Sequence, residues 1–419
     1  MISVLVFNIG SGSQQVSLYG NIAGNDELPR ESIWEARIDS TAPDQPEDKL
    51  YIEIKYGSTH VRSEVSRSAN LDQRIQAVLN EAVHGKGKIL NAFSSLTAVA
   101  HRVVHGGERF SEATEITDEV EHEIEHLCDF SPLHNPVQLA AIRVAKKIIG
   151  PPVKHYAVFD TAFHRTLLDA AKVYPGPFEW VDKKIIRYGF HGSSFRYVTR
   201  RIAEILGDSS DRRLIVCHLG GGCSLAAVRG HRSIDTTMGF SPLDGIAMCT
   251  RSGGADPGIL IHLVRQGATA DALEELLNKH SGLAGLSGLP GDTRIVFPAA
   301  KAGNKRAQLA MDVFIHRLQS GIGSMLAALG GCDVLAFTDV IGESEPAIRS
   351  AACIPLAFMG LNLDERNNRA AKGDTQISTD DSPVQVYVIH SQETWQVGWE
   401  ALRKVGGNWN PFASTRANS

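Results

Sequence analysis

The sequence predicts an α/β protein made of two duplicated domains, and three observations carry that expectation. Each half opens on a strand, a loop of small residues and a returning strand: residues 4–7, 8–13 and 16–19 in the first, residues 214–217, 220–222 and 224–228 in the second. Short apolar runs of buried-strand type alternate with stretches of helical spacing. The 419 residues, 43% of them hydrophobic, suffice for two separate cores.

Composition narrows the function classes. Lysine and arginine number 42 against 47 acidic residues, a net charge of -5. That leaves no basic footprint for nucleic acid and no polybasic patch for a membrane surface. No apolar run is long enough to span a bilayer. The N-terminal MISVLVFNIG has no basic n-region and reads as a strand, not a signal peptide. Cys128, Cys217, Cys223, Cys249, Cys332 and Cys353 are scattered without a CxxC pair, as expected of reduced thiols in a cytoplasmic protein. The expectation is a soluble cytoplasmic enzyme.

In chain order, residues 4–7 are a buried strand and Asn8, Ser11 and Ser13 lie in or beside the first small-residue loop. Glycine and serine loops between strands bring bare backbone N–H groups together, a nest that favours phosphate. Residues 22–48 are polar and contain proline, and are expected to form a surface excursion. Residues 50–54 alternate as a half-exposed strand, and residues 71–79 are helical. A strand over 96–100 runs into His101, Arg102, Val104 and Glu108; Arg102 is a candidate phosphate clamp or, equally, a surface ion pair with Glu108. Helices are expected over 117–128 and 137–149, the second entered through Ser131-Pro132-Leu133-His134-Asn135-Pro136 and stopped at Gly150 with two prolines beyond. A strand over 157–159 ends at Asp160, placed either to orient a substrate or Mg²⁺ or to cap the next segment.

The loop over residues 187–194 brackets His191 with glycines. In the central stretch, Gly220, Gly221 and Gly222 interrupt two strands, and Arg251 sits in a Thr-Arg-Ser-Gly-Gly loop. Residues 285–294, including Asp292, Thr293 and Arg294, read as a Gly-rich loop lining a pocket. A long helix over 305–329, a buried strand over 334–338 ending in a loop with Val340, Ile341 and Gly342, a strand over 383–389 and a final helix over 393–405 complete the chain. The tail over 408–419 is expected to fray. No histidine or cysteine spacing suggests a zinc site.

Taken in order, HRVVHGGE, SPLHNP, FDTAFH, RYGFHGSS, the central HLG…DTTMGFSPLDG…TRSGGADP and GLNLDE resemble the acetate kinase family, within the acetate and sugar kinase/Hsp70/actin superfamily. The resemblance covers almost the whole chain. It implies two ribonuclease H-like/actin-like ATPase domains with an interdomain active-site cleft, assembled as a homodimer. It places an N-terminal domain at 1–159 plus 391–419, and a C-terminal nucleotide-binding and dimerisation domain at 160–390.

The resemblance also implies a reaction: acetate attacks the γ-phosphoryl group of ATP in line, giving acetyl phosphate and ADP, with Mg²⁺ (or Mn²⁺ in its place). A carboxylate is already ionised at neutral pH, so no general base is needed, and the protein aligns groups and offsets charge. By resemblance, Asn8 holds the γ-phosphoryl group, Arg102 and Arg251 clamp acetate and the transferring group, and His191 stabilises the transition state. His134 lies at the active site, Asp160 acts near acetate and the metal's water shell, and Glu393 supports Mg²⁺ with Asn8. Val104, Leu133, Phe190 and Pro242 form the acyl pocket, where one methylene counts for only about 1–3 kcal/mol, so propionate is expected to be a slower substrate. On the nucleotide side stand Ser11, Ser13, Gln15, His218, Gly220, Gly221, Gly222, Asp292, Thr293, Arg294, Val340, Ile341 and Gly342.

Departures from the family pattern cluster on that nucleotide side. Its lysine after the first loop is Gln15, its HLGNG loop reads His218-Leu219-Gly220-Gly221-Gly222, and a second histidine in its FHGTSH motif is Phe195. Its Ala-Gly-Ile-Gly-Glu-Asn loop reads Asp339-Val340-Ile341-Gly342-Glu343-Ser344. Val340 stands where the family's glycine gives room for a nucleoside. Two further functions therefore stand beside an ATP-dependent acetate kinase: a short-chain acyl kinase with a smaller donor such as pyrophosphate, and a weakly catalytic regulatory protein that binds acyl phosphates.

Overall fold

The computed structural model describes residues 2–10, 12–20, 28–40, 46–209 and 211–405. Ser11 and the tail over 408–419 lie outside the described residues. The chain divides into two compact units, Met1–Ala162 with Gln392–Ser419, and Phe163–Ser391. Asp160 thus falls with the first unit, and the chain returns to that unit at Gln392.

In the first unit one sheet holds β1 (Ser3–Ile9), β2 (Ser13–Gly20), β3 (Trp34–Asp39), β4 (Lys49–Tyr56), β5 (Thr59–Ser66), β6 (Ala98–Val103), β7 (Thr114–Glu115) and β8 (His155–Phe159), in the order β5-β4-β3-β2-β1-β6-β8-β7. β1, β6 and β8 run parallel, while β1 to β5 form an antiparallel meander. One core gathers Leu5, Phe7, Trp34, Ile38 and Ile52 against helices Leu71–Val83 and Asn135–Ile149. Helix Glu393–Val405 lies against β1: a Cβ added at Gly398 would come within 2.9 Å of Val6 and 3.1 Å of Val4. Only a glycine lets that helix approach so closely.

In the second unit, β9 (Arg213–Leu219), β10 (Cys223–Arg229), β11 (Arg232–Thr236), β12 (Val334–Thr338), β13 (Thr375–Gln376) and β14 (Gln385–Ile389) form a sheet ordered β11-β10-β9-β12-β14-β13. β9, β12 and β14 are parallel, and β10 and β11 are antiparallel. The five-strand run β11-β10-β9-β12-β14 therefore repeats β3-β2-β1-β6-β8 in order and direction. The duplication expected from two small-residue loops is a duplication of whole sheets.

Four local expectations change. Residues 34–39 are an interior strand, with Trp34, Ala36 and Ile38 at 0% exposure. Glu35, Arg37 and Asp39 alternate with them, a period-2 pattern that the polar neighbours concealed. The Gly-rich stretch at 285–294 contains parts of two helices, Gly282–Ser287 and Thr293–Lys301, the second capped by the Asp292 carboxylate on the Arg294 N–H. Residues 339–344 form a short helix after β12. The loop around His191 leads at once into helix Gly192–Leu206. Among the described residues no helix is long and apolar enough to cross a membrane.

Candidate active site

In the first unit the parallel strands deliver their C-terminal ends to one polar cluster, the usual place for a ligand in such a sheet. Asn8 comes from β1, Arg102 from β6, and Asp160 follows β8 directly. The Arg102 guanidinium forks onto Asp160: Nε donates to Oδ1 and Oδ2 at 3.1 and 3.0 Å, and Nη2 to Oδ2 at 2.6 Å. Its Nη1 donates to Asn8 Oδ1 at 3.2 Å and lies 3.5 Å from Glu393 Oε2. The side chains of Arg102 and Glu393 are each 16% exposed and that of Asp160 2%. A nearly buried ion pair of this kind is strongly oriented by its low-dielectric surroundings.

The turn after β6 is pinned by side chains within or just beyond other quoted motifs. Gln138 Oε1 accepts the Val104 N–H, Asn135 Oδ1 accepts the His105 N–H, and Thr161 Oγ1 accepts the Gly106 N–H, at 2.9, 3.0 and 3.0 Å. His105 Nδ1 accepts the Gly107 N–H, and burial pulls that imidazole down to about 4. Val104 is buried, whereas Leu133 is 37% exposed and His134 occupies the cap position of helix Asn135–Ile149 without a side-chain cap bond. Gln15 pairs across the hairpin with Asn8, and the Ser13 carbonyl closes the turn by accepting the Gly10 N–H at 2.8 Å.

The second unit gathers its own polar group at the ends of β9 and β12. His191 adopts φ +58 and receives or gives a 2.8 Å hydrogen bond between Nδ1 and Ser224 Oγ. Its ring lies 4.1 Å from that of His218, whose Nδ1 meets Ser194 Oγ at 2.8 Å. Gly222 runs beside them, where an added Cβ would stand 3.2 Å from the His191 ring and 3.6 Å from Arg251 Nη1. Arg251 Nη1 also points to the Pro242 carbonyl at 3.5 Å, and burial lowers the guanidinium from its usual value. Phe190 is 1% exposed, and its carbonyl meets His164 Nε2 at 3.0 Å.

Close packing surrounds Gly220. The thiols of Cys223 and Cys249 both approach its carbonyl, at 3.3 and 3.5 Å. Gly291 packs so tightly on Cys249 that a Cβ would strike the Cys249 carbonyl. Thr293 Oγ1 donates to Glu345 Oε1 at 3.3 Å, just beyond helix Asp339–Ser344. Arg294, a candidate for phosphate, folds back on its own cap Asp292, with Nη2 2.6 Å from Oδ2 and its side chain 74% exposed. Ile341 and Gly342 are buried and Val340 is 59% exposed. Behind them Arg349, 1% exposed, donates to the Gly342 and Glu343 carbonyls at 2.8 Å each. Ser194, Ser224, Gln138, Asn135 and Arg349 were not singled out from the sequence. The first four lie within or beside quoted motifs, while Arg349 carries no local signal.

The chain matches the acetokinase family over residues 3–398. It belongs to that family. A protein of Gloeobacter violaceus named acetate kinase is 47% identical over 412 residues, covering 96% of this chain and 100% of its own. Among solved structures, the acetate kinase of Porphyromonas gingivalis superposes with a TM-score of 0.85 at 34% identity, covering 96% of this chain and 99% of that one. A propionate kinase from Francisella tularensis does so with a TM-score of 0.85 at 31% identity and the same coverage of 96% and 99%. Family membership accounts for the quoted motifs: HRVVHGGE, SPLHNP and FDTAFH build and brace the Arg102 cluster, RYGFHGSS and the central stretch build the His191–His218–Gly220 group, and in GLNLDE Asp364 caps helix Glu365–Ala370.

Proposed function

We propose that the protein is an acetate kinase, a phosphotransferase acting on a carboxyl group, which moves a phosphoryl group reversibly between ATP and acetate. The observation that carries this reading is the Arg102 cluster, a guanidinium fixed by Asp160 and Asn8 within a chain of the acetokinase family. Acetate arrives ionised, so the chemistry needs alignment and charge neutralisation and no base. In this reading Arg102 orients the acetate carboxylate, while Arg251 and His191 hold charge developing on the transferring phosphoryl group. His134 borders the reacting groups, and Val104, Leu133, Phe190 and Pro242 limit the acyl chain. Gly220, Gly221 and Gly222 border the donor phosphates, with backbone N–H groups supplied by Gly221 and Gly222, since that of Gly220 donates to the Gly222 carbonyl at 3.1 Å.

Mg²⁺ fits the residues present. Among the described residues no three acidic, histidine or cysteine groups could hold a metal alone. Glu393 and Asn8, which both meet Arg102, supply the one or two oxygen ligands that Mg²⁺ takes from protein when phosphates and water supply the rest. When bound, the ion neutralises charge on the donor phosphates, and Mn²⁺ could take its place.

A homodimer is supported by helix Pro257–Arg265, in which no residue is buried and Ile259, Ile261 and Val264 are 52%, 54% and 54% exposed. A second copy is an occupant that would cover such a face. A second reading, a smaller donor such as pyrophosphate, is favoured by Val340 standing 59% exposed beside the donor loop. Acetyl phosphate formation from acetate, assayed separately with ATP, GTP and pyrophosphate, tests both. Turnover with ATP and none with pyrophosphate supports the first reading, the reverse supports the second, and no turnover with any donor overturns both.

A further inference from the structure

The Gly220 loop joins β9 to β10, its Gly220 N–H donating to the Gly222 carbonyl at 3.1 Å, and a carboxylate already lies on it. Asp339 follows the last residue of β12, and β12 is paired in parallel with β9 so that Thr338 stands opposite His218. Its backbone adopts φ +66, the left-handed region that a β-carbon disfavours. That conformation turns the side chain across the strand ends toward β9. Asp339 Oδ2 lies 3.3 Å from His218 Nε2, and a Cβ built on Gly220 would fall inside the carboxylate. The side chain is 26% exposed, so its charge is only partly screened. Burial pushes up the thiols of Cys223 and Cys249, which both approach the Gly220 carbonyl, and the Asp339 charge adds to it.

An aspartate in the first turn of a helix is ordinarily there to cap it. Here the strained backbone directs the carboxylate onto the loop and its histidine, and backbone strain persists where something else gains by it. Building on the donor-site reading above, we propose that Asp339 sets donor affinity. Its carboxylate is a built-in anion on the phosphate loop, and every phosphate donor, nucleotide or pyrophosphate, binds against its charge. This differs from the effect of Val340, whose bulk discriminates against a nucleoside but not against a phosphate.

Asp339→Asn removes the charge while keeping the shape, and asparagine tolerates the left-handed backbone. Asp339→Gly removes the strain as well and serves where the first variant does not fold. Steady-state kinetics with ATP and pyrophosphate should be run beside calorimetric binding of Mg-ADP, at low and moderate salt. The expected result is a fall of about tenfold in donor KM and in Kd for Mg-ADP, with the acetate KM within about twofold of the parent. The salt dependence of donor binding should weaken too. Unchanged or weaker donor binding in a folded variant overturns the proposal, since Asp339 would then be a support for His218. If the parent protein forms acetyl phosphate and the variants leave donor binding unmoved, this inference fails while the function stands. If the parent makes no acetyl phosphate but the variants bind Mg-ADP more tightly, the function fails and the charge effect stands.

Discussion

At the scale of single residues, the three guanidinium nitrogens of Arg102 all have partners among Asp160, Asn8 and Glu393, so the guanidinium plane is fixed before substrate arrives. Lysine would keep the positive charge and lose the fork. Arg102→Lys is therefore expected to lower kcat by about 10²–10³-fold with little change in thermal stability, measured by trapping acetyl phosphate as the hydroxamate. A variant within about threefold of the parent would remove Arg102 from the reacting groups. A second residue-scale effect concerns histidines that the chemistry does not use. Burial pulls His105 and His155 in the first unit, and His164 in the second, down to about 4. In the unfolded chain each titrates near 6.5. Between those values the unfolded chain binds protons that the folded chain refuses. Stability is thus fully present above about pH 6.5 and is lost as pH falls toward about 4, by about 1.4 kcal/mol per pH unit for each histidine. Urea midpoints measured from pH 7.5 to 5 should decline below pH 6.5, and a flat profile down to pH 5 would contradict the buried neutral state.

At the scale of elements, what was legible in the sequence was what local pattern encodes. Residues 4–7 and 214–217 declare buried strands by composition, and helix Asn135–Ile149 declares its ends by proline and glycine. β3 was hidden because Glu35 and Arg37 alternate with its apolar residues and a polar stretch leads into it. Helix Asp339–Ser344 was hidden because its residues, glycine and serine among them, are poor helix formers, and Arg349 holds its last carbonyls from outside. The contacts that make the site were not local at all: Arg102 meets Asp160 across 58 residues and Asn8 across 94. No spacing rule reaches that far, which is why the motifs could name Arg102 as a candidate without naming what fixes it. The meeting of two elements at Gly220 gives an element-scale prediction. Gly220→Ala drives a Cβ into the Asp339 carboxylate, so that side chain must turn away from His218 or the ends of β9 and helix Asp339–Ser344 must separate. The expected cost is about 1–3 kcal/mol of stability, with weaker donor binding. Adding Asp339→Gly should restore much of both, and strict additivity of the two changes in a double-mutant cycle would show that they do not meet.

At the scale of the whole molecule, the repeat of β3-β2-β1-β6-β8 in β11-β10-β9-β12-β14 explains why each unit carries one small-residue loop and one polar cluster at its strand ends. In the proposed reading the two sheets differ in duty: the departures at Gln15, Gly221, Asp339 and Val340 fall on residues proposed to face the donor, while Arg102, Asp160, His191 and Arg251 stand in the quoted motifs proposed to face acetate and the transferring group. The apolar helix Pro257–Arg265 belongs to neither duty. Its sequence, PGILIHLVR, would ordinarily bury a face, yet Ile259, Ile261 and Val264 all remain more than half exposed. Leu276 on the next helix, Ala270–Lys279, adds a fourth apolar side chain at 39% exposure. If a second copy covers this face, charge placed there must separate the copies, because an unpaired carboxylate in an apolar interface is costly to bury. Ile261→Glu with Val264→Asp is therefore expected to convert a dimer into a monomer by light scattering at micromolar concentration. Helical content should be retained, since both positions are exposed within one chain. A parent protein that is already monomeric would overturn the dimer, and a doubly charged variant that stays dimeric would move the interface elsewhere.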